Sequence, residues 1–173
     1  MFREMERAPW SRWPCPIARS VDQVGDGWTL LVLRDVFMGV HRFADLEASL
    51  GIAPSVLTAR LEALVKHGLL HSRTYSKRPL RHEYVLTKKG EDVLPVLLTL
   101  GEWGNRWLAP KGEPMVHVDA HSHARLRPVV VDRRSLKAMT AGKVALAAGR
   151  GAPAVLKRQL ATPRVLGGKA VPQ

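Results

Sequence analysis

Several groups of side chains in this sequence have types and spacings that could do chemistry. Ser55, Thr58, Arg60 and Lys66 lie within one short stretch, and Lys77, Arg78 and Arg81 follow in the segment SKRPLR. Hydroxyls and cations arranged this way form hydrogen bonds and ion pairs with a polyanion; they do not break bonds. Cys15 is the single cysteine, so no internal disulfide can form. It sits before Pro16, where a helix can start, and a helix N-terminus flanked by Arg12 and Arg19 favours a thiolate. Such a thiol could pair with its mate across a dimer or be capped by a small thiol; the competing reading is a small packed residue. In HVDAHSH, His117, Asp119, His121 and His123 alternate, as on one face of a strand. A strand of that length spans about 20 Å, too far for one ion, so a surface strand without metal is expected. No Gly-rich phosphate loop, His-Glu helix motif or CxxC pair is present, and Gly149-Arg150-Gly151 matches no catalytic motif. No enzyme activity, cofactor or metal is expected.

The elements that would position these residues read mainly as helices. Ile17, Val21 and Val24 fall at helical spacing after Pro16. Asp26 can cap a second helix, WTLLVLRDVFMG, apolar on nearly every side. Phe43, Leu46 and Leu50 mark a short helix closed by Gly51. Pro54 opens the next, with Leu57, Leu61 and Leu64 as one stripe and Ser55, Ala59, Glu62 and Lys66 opposite, Thr58 at the edge. LLHSRTY and HEYVL are strand candidates joined by the basic loop SKRPLR. Thr87 caps a long apolar helix carrying Trp103 and Trp107, with Pro95 predicting a kink or a delayed start. After Pro110 the pattern is irregular and partly strand-like, and no internal repeat is evident.

Length and charge agree with that division. The 173 residues carry 27 Lys and Arg against 15 Asp and Glu, a formal charge of +12. Such a balance points to an anionic partner, nucleic acid first. Residues 1–109 hold 15 basic and 12 acidic residues, whereas 110–173 hold 12 and 3. The expected organisation is an N-terminal arm (1–14), a folded domain (15–109), a strand-like extension (110–134) and a basic, flexible tail (135–173). That tail reads either as a solubilising segment or as an arm touching DNA. No apolar run reaches the roughly 18 residues of a membrane span, and no secretory signal is visible, so a cytoplasmic protein is expected.

A short helix, a Gly-centred turn (LGIAP), a helix with one polar face and a hairpin with a basic tip form a winged helix-turn-helix layout. Its second helix would offer the polar face to the major groove, and Lys77, Arg78 and Arg81 would meet phosphates or the minor groove. The fold class expected is α+β, mainly α: a winged helix-turn-helix domain with further helices and an irregular, partly strand-like C-terminal extension.

At this point the sequence resembles the HxlR-type winged-helix regulators. The resemblance is carried by CPIARSVDQVGDGWTLLVLRDVFMGVHRFADLE, LGIAPSVLTARLEALVKHGLL and EYVLTKKGEDVLPVLLTLGEWG, within residues 15–107. It implies a cytoplasmic, homodimeric DNA-binding regulator whose first and last domain helices form the dimer interface. It places Ser55, Thr58 and Arg60 facing or flanking double-stranded DNA, Arg60 reaching a phosphate from beside the leucine stripe. Departures at Ala53, Ser55 and Ala59 leave few side chains for base contacts, so shape and wing contacts are expected to contribute much of the specificity. Cys15 matches a position that some relatives use as a redox or electrophile sensor. The apolar space near Trp28, Trp103 and Trp107 is the default pocket for a small-molecule effector. The expected function is a transcriptional regulator, repressor or activator, that reads a pseudo-palindromic operator under small-molecule or redox/electrophile control. The alternative is an architectural protein that binds DNA without sequence preference through its basic tail.

Overall fold

The leucine stripe of the fourth helix dictates how the first part of the chain packs. The computed structural model describes residues 10–167. After a short 3-10 turn at Trp10–Arg12, four helices follow: α1 (Pro16–Val24), α2 (Gly27–Phe37), α3 (Phe43–Leu50) and α4 (Pro54–Lys66). Leu57, Leu61 and Leu64 of α4 are buried against Val32, Leu33 and Val36 of α2 and Leu46 of α3. Each is the inward position of an amphipathic helix, and burying a Leu this fully contributes about 2 kcal/mol. Gly51 closes α3 in the left-handed conformation, φ 60°, which a side chain would strain. The α3 and α4 axes turn by 119° at this break.

A hairpin follows, built from β1 (Leu70–Lys77) and β2 (Leu80–Leu86), paired antiparallel from Leu70↔Leu86 to Lys77↔Leu80. The strands run further into SKRPLR than the sequence suggests, leaving only Arg78 and Pro79 in the turn. The register shifts between Thr74 and Ser76, so Tyr75 is the extra residue of a bulge. Arg42 pairs with Glu83 as a one-residue third strand, and Tyr84 N–H donates to His41 O at 2.8 Å. This order of helices with a hairpin and an edge bridge is a winged helix-turn-helix.

Thr87 caps as expected, but the helix it starts, α5 (Lys88–Glu91), is one turn long. The chain then restarts as α6 (Leu94–Leu108), with Pro95 in its first turn. Proline tolerates that position because its missing N–H has no partner there. The delayed start is thus the outcome.

The described residues group into two compact units that divide between Leu100 and Gly101, within α6. In the second unit, Val118 bridges Arg125 and Val131 bridges Ala138. Each bridge closes the same tight turn. Asp119 Oδ1 accepts from Ser122 N and Oγ at 2.8 and 2.9 Å, and Asp132 Oδ1 accepts from Ser135 N and Oγ, both at 2.8 Å. His123 and Leu136 then take the left-handed conformation. The sequence therefore does hold a short repeat, Val-Asp-x-x-Ser, which the sequence reading missed. It also means that HVDAHSH is not one strand. Asp119 binds its own backbone and folds the chain back. Within 135–167, expected as part of a flexible tail, the structure places β3 (Ala145–Leu146) paired with β4 (Arg164–Val165), and α7 (Ala154–Gln159) between them. Residues 168–173 of that tail and 1–9 of the expected arm lie outside the described residues.

Candidate nucleic-acid interface

The stripe that anchors α4 fixes what it presents outward. With Leu57, Leu61 and Leu64 inward, Ser55, Thr58, Ala59, Glu62 and Lys66 are exposed. The structure thus brings Ser55, Thr58, Ala59 and Lys66 to one face. Thr58 Oγ1 donates to Pro54 O at 2.9 Å. Its one proton is spent, so towards a partner it can only accept a hydrogen bond or offer its methyl group.

Arg60 has a partner that the sequence does not reveal. It is half-buried, and its Nε lies 3.0 Å from Asp26 Oδ1, as an ion pair rather than an aligned hydrogen bond. The same oxygen accepts from Trp28 N and Thr29 N at 3.1 and 3.2 Å, capping α2. Arg60 therefore has a carboxylate partner within the domain while its side chain stays partly open to solvent. Its partner is 34 positions away, beyond any local pattern.

At the wing, Lys77, Arg78 and Arg81 are all exposed, and among the described residues none has a carboxylate within 4 Å. Lower on the same hairpin, Arg73 is neutralised by Glu83 at 2.7 Å. The free cations thus collect at the tip. Between the wing and the start of α3 lies an open cleft of about 510 Å³, lined in part by Arg42, Tyr75, Leu80 and Arg81. Sequence reasoning missed Arg42, whose guanidinium lies over the Tyr75 ring, 4.6 Å from its centroid. Burial, with Glu62 nearby, raises the Tyr84 phenol, also in this cleft, above its ordinary 10.0.

Cys15 is exposed and stands at the N-cap of α1 without a side-chain capping bond. Arg19 Nε donates to Trp13 O at 2.7 Å. Trp28, on α2, and Trp103 and Trp107, on α6, are each partly open to solvent, and none of them lines the cleft at the wing. Among the described residues, no group of three or more His, Cys, Asp or Glu could hold a metal ion, and no single helix is long and apolar enough to cross a membrane.

Residues 23–112 match the HxlR-like helix-turn-helix family. The chain belongs to that family. An uncharacterised HTH-type transcriptional regulator of Mycobacterium tuberculosis is 43% identical over 100 residues, which cover 57% of this chain and 63% of that protein. The chain thus spans under two thirds of that relative. One from Synechocystis is 39% identical over 95 residues, covering 54% of this chain and 70% of its own. The solved structure PA1607, described as a candidate transcription factor, superposes with TM-score 0.74 at 31% identity, over 81% of this chain and 99% of that one. PA1374 from Pseudomonas aeruginosa, described likewise, gives 0.62 at 40% identity, over 84% and 100%. Both reach well past the winged helix, so the second unit of this HxlR-like chain also has counterparts. The oxidised form of the redox regulator HypR gives 0.50 at 29% identity, over 53% of this chain and 96% of its own. The relatives of this HxlR-like chain are described as transcription regulators.

Proposed function

We propose that this protein is a cytoplasmic, homodimeric transcriptional regulator that grips a pseudo-palindromic operator through paired α4 helices and wings. The observation that carries this reading is the exposed polar face of α4, backed by buried leucines and followed by a wing whose Lys77, Arg78 and Arg81 have no carboxylate within 4 Å among the described residues. Ser55, Thr58, Ala59 and Lys66 meet the major groove, the wing cations meet phosphates or the minor groove, and Arg60 orients α4 through Asp26. Half-sites then lie about one helical turn apart.

Homodimerisation is supported by apolar faces that no described residue covers. Ile17 and Val21 on α1 are exposed, as are Leu94, Val96 and Leu100 in the first part of α6. Control by oxidant or electrophile is supported by the exposure of Cys15 and by the likeness to HypR. Control by a small-molecule effector is part of the same proposal. Double-stranded DNA selected from a random pool tests it. Thr58→Ala and Arg78→Ala each weaken binding, Thr58→Ala mostly on the selected sequence; an unselective pool would sink the reading. Truncation after residue 134 tests the architectural alternative, because loss of all DNA binding on that deletion favours the tail.

A further inference from the structure

We propose that the cleft between the start of α3 and the wing is a seat for one phosphodiester of the DNA backbone, with Arg42 and Arg81 as its cations. The inference rests on the DNA-binding reading above and extends it to a site outside α4 and the wing tip.

Arg42 stands at the N-cap of α3, yet its side chain makes no capping hydrogen bond. Its backbone serves the fold through the bridge to Glu83. Its guanidinium lies over the ring of Tyr75, the bulge residue of β1. A bulge re-aims a side chain, and here it supplies a flat support for the arginine. Stacking on a ring fixes the guanidinium plane while its N–H edges stay free for an anion. Among the described residues neither Arg42 nor Arg81 has a carboxylate within 4 Å, whereas Arg34, Arg60 and Arg73 each have one. The unneutralised arginines of the helix-turn-helix and wing are thus Arg42, Arg78 and Arg81, grouped at the wing and the cleft beside it.

The rest of the lining favours a DNA backbone over a free anion. Leu80 and Phe43 give the cleft apolar walls, suited to the deoxyribose edges on either side of a phosphate. Asp45, on the first turn of α3, also lines it. A carboxylate there repels a dianion more than the single charge of a phosphodiester. Leu80 and Arg81 belong to both the cleft and the wing, so a duplex held by the wing passes the cleft mouth.

The test uses the full chain, a duplex enriched by the wild-type protein and an unrelated duplex, with binding followed by fluorescence anisotropy between 50 and 200 mM salt. Arg42→Gln and Arg81→Gln are each expected to weaken both duplexes by a similar factor, about fivefold, and to lower the slope of log K against log salt by about 1. Tyr75→Leu, which removes the support, is expected to reproduce part of the Arg42 loss, while Tyr75→Phe keeps wild-type binding. Thermal unfolding of Arg42→Gln should match wild type, since that side chain caps nothing. If Thr58→Ala and Arg78→Ala weaken binding while Arg42→Gln leaves affinity and salt slope unchanged, the cleft site is wrong and the DNA-binding reading stands. If inorganic phosphate shifts the Arg42 and Tyr75 NMR signals but Arg42→Gln binds DNA normally, the cleft takes a free anion and the assignment to DNA fails. A wild-type protein that binds no duplex at 50 mM salt overturns both.

Discussion

Asp26 shows how one side chain can serve two elements. Its Oδ1 accepts from the first amides of α2 and faces Arg60 of α4 at 3.0 Å. Removing it should cost the cap and free the arginine together. Asp26→Ala is expected to destabilise the domain by about 1–2 kcal/mol, mostly through the cap, because a partly exposed ion pair adds little. Asp26→Asn keeps an acceptor for the amides and loses only the charge, so it should retain most of the stability. Urea unfolding separates the two; equal losses would mean that the ion pair, not the cap, is what matters. Arg60 freed from Asp26 can also reach outward, so Asp26→Asn should raise affinity for unrelated DNA by a small factor. Within α2, the buried Asp35 pairs with the partly exposed Arg34 at 2.7 Å. Asp35 is fully buried, and among the described residues its Oδ2 has no hydrogen-bond partner.

At the scale of elements, the junction after the wing is tightly built. Thr87 Oγ1 donates to Gly68 O at 2.6 Å and accepts from Gly90 N at 3.1 Å, tying the end of α4 to the start of α5. A Cβ on Gly90 would stand 2.1 Å from the Leu69 carbonyl oxygen, which is backbone and has little room to yield. Gly90→Ala should therefore destabilise by about 1–3 kcal/mol, the usual cost of overpacking, read as a lower unfolding midpoint. The twin Asp turns give a prediction in pH. Hydrogen bonds from the Ser122 and Ser135 amides and hydroxyls hold the Asp119 and Asp132 carboxyls below their ordinary 3.8. A carboxyl whose folded pKa is depressed stabilises the fold above its unfolded value. These turns should therefore be fully formed above about pH 3.8 and loosen as pH falls below it through the lower folded values. Faster exchange of the Ser122 and Ser135 amides would report this, and Asp119→Asn, which still accepts, should abolish the pH dependence at its own turn. Local patterns made some elements legible in the sequence: the α4 stripe, the Asp26 and Thr87 caps, the Gly51 turn and the hairpin each rest on neighbours a few residues apart. The Asp turns escaped because alternating His and Asp imitate a strand, and only the side-chain-to-backbone bonds of Asp119 break that pattern. Arg60 with Asp26, and Arg42 with Tyr75, escaped because long-range contacts leave no periodic trace. The exposed face of Ser55, Thr58, Ala59 and Lys66 was readable, whereas the cleft beside the wing required the bulge at Tyr75 to be seen.

For the whole molecule, the decisive question is how one small reading head could achieve selectivity. The exposed face of α4 offers few base-reading groups: Ala59 has no polar atom and Thr58 has already spent its proton. One such helix would discriminate weakly, since each good base contact is worth about 1–3 kcal/mol. Two heads on a rigid pair gain by effective concentration, because the second binds at a local concentration in the millimolar range once the first is seated. The apolar groups left open on α1 and α6 are where such a pair would be joined. Trp103 and Trp107 are more than half exposed, at 53% and 56%, so replacing them should leave each chain folded. Ile17→Asp combined with Trp103→Glu and Trp107→Glu is expected to give a folded monomer by sedimentation. Its affinity for a two-half-site duplex should fall at least a hundredfold, to that of a single half-site. Wild-type affinity should also drop when the half-site spacing is changed by half a helical turn, which puts the second head on the wrong side of the duplex. A triple variant that still sediments as a dimer would move the joint elsewhere. A wild-type protein indifferent to spacing would mean that each head binds alone.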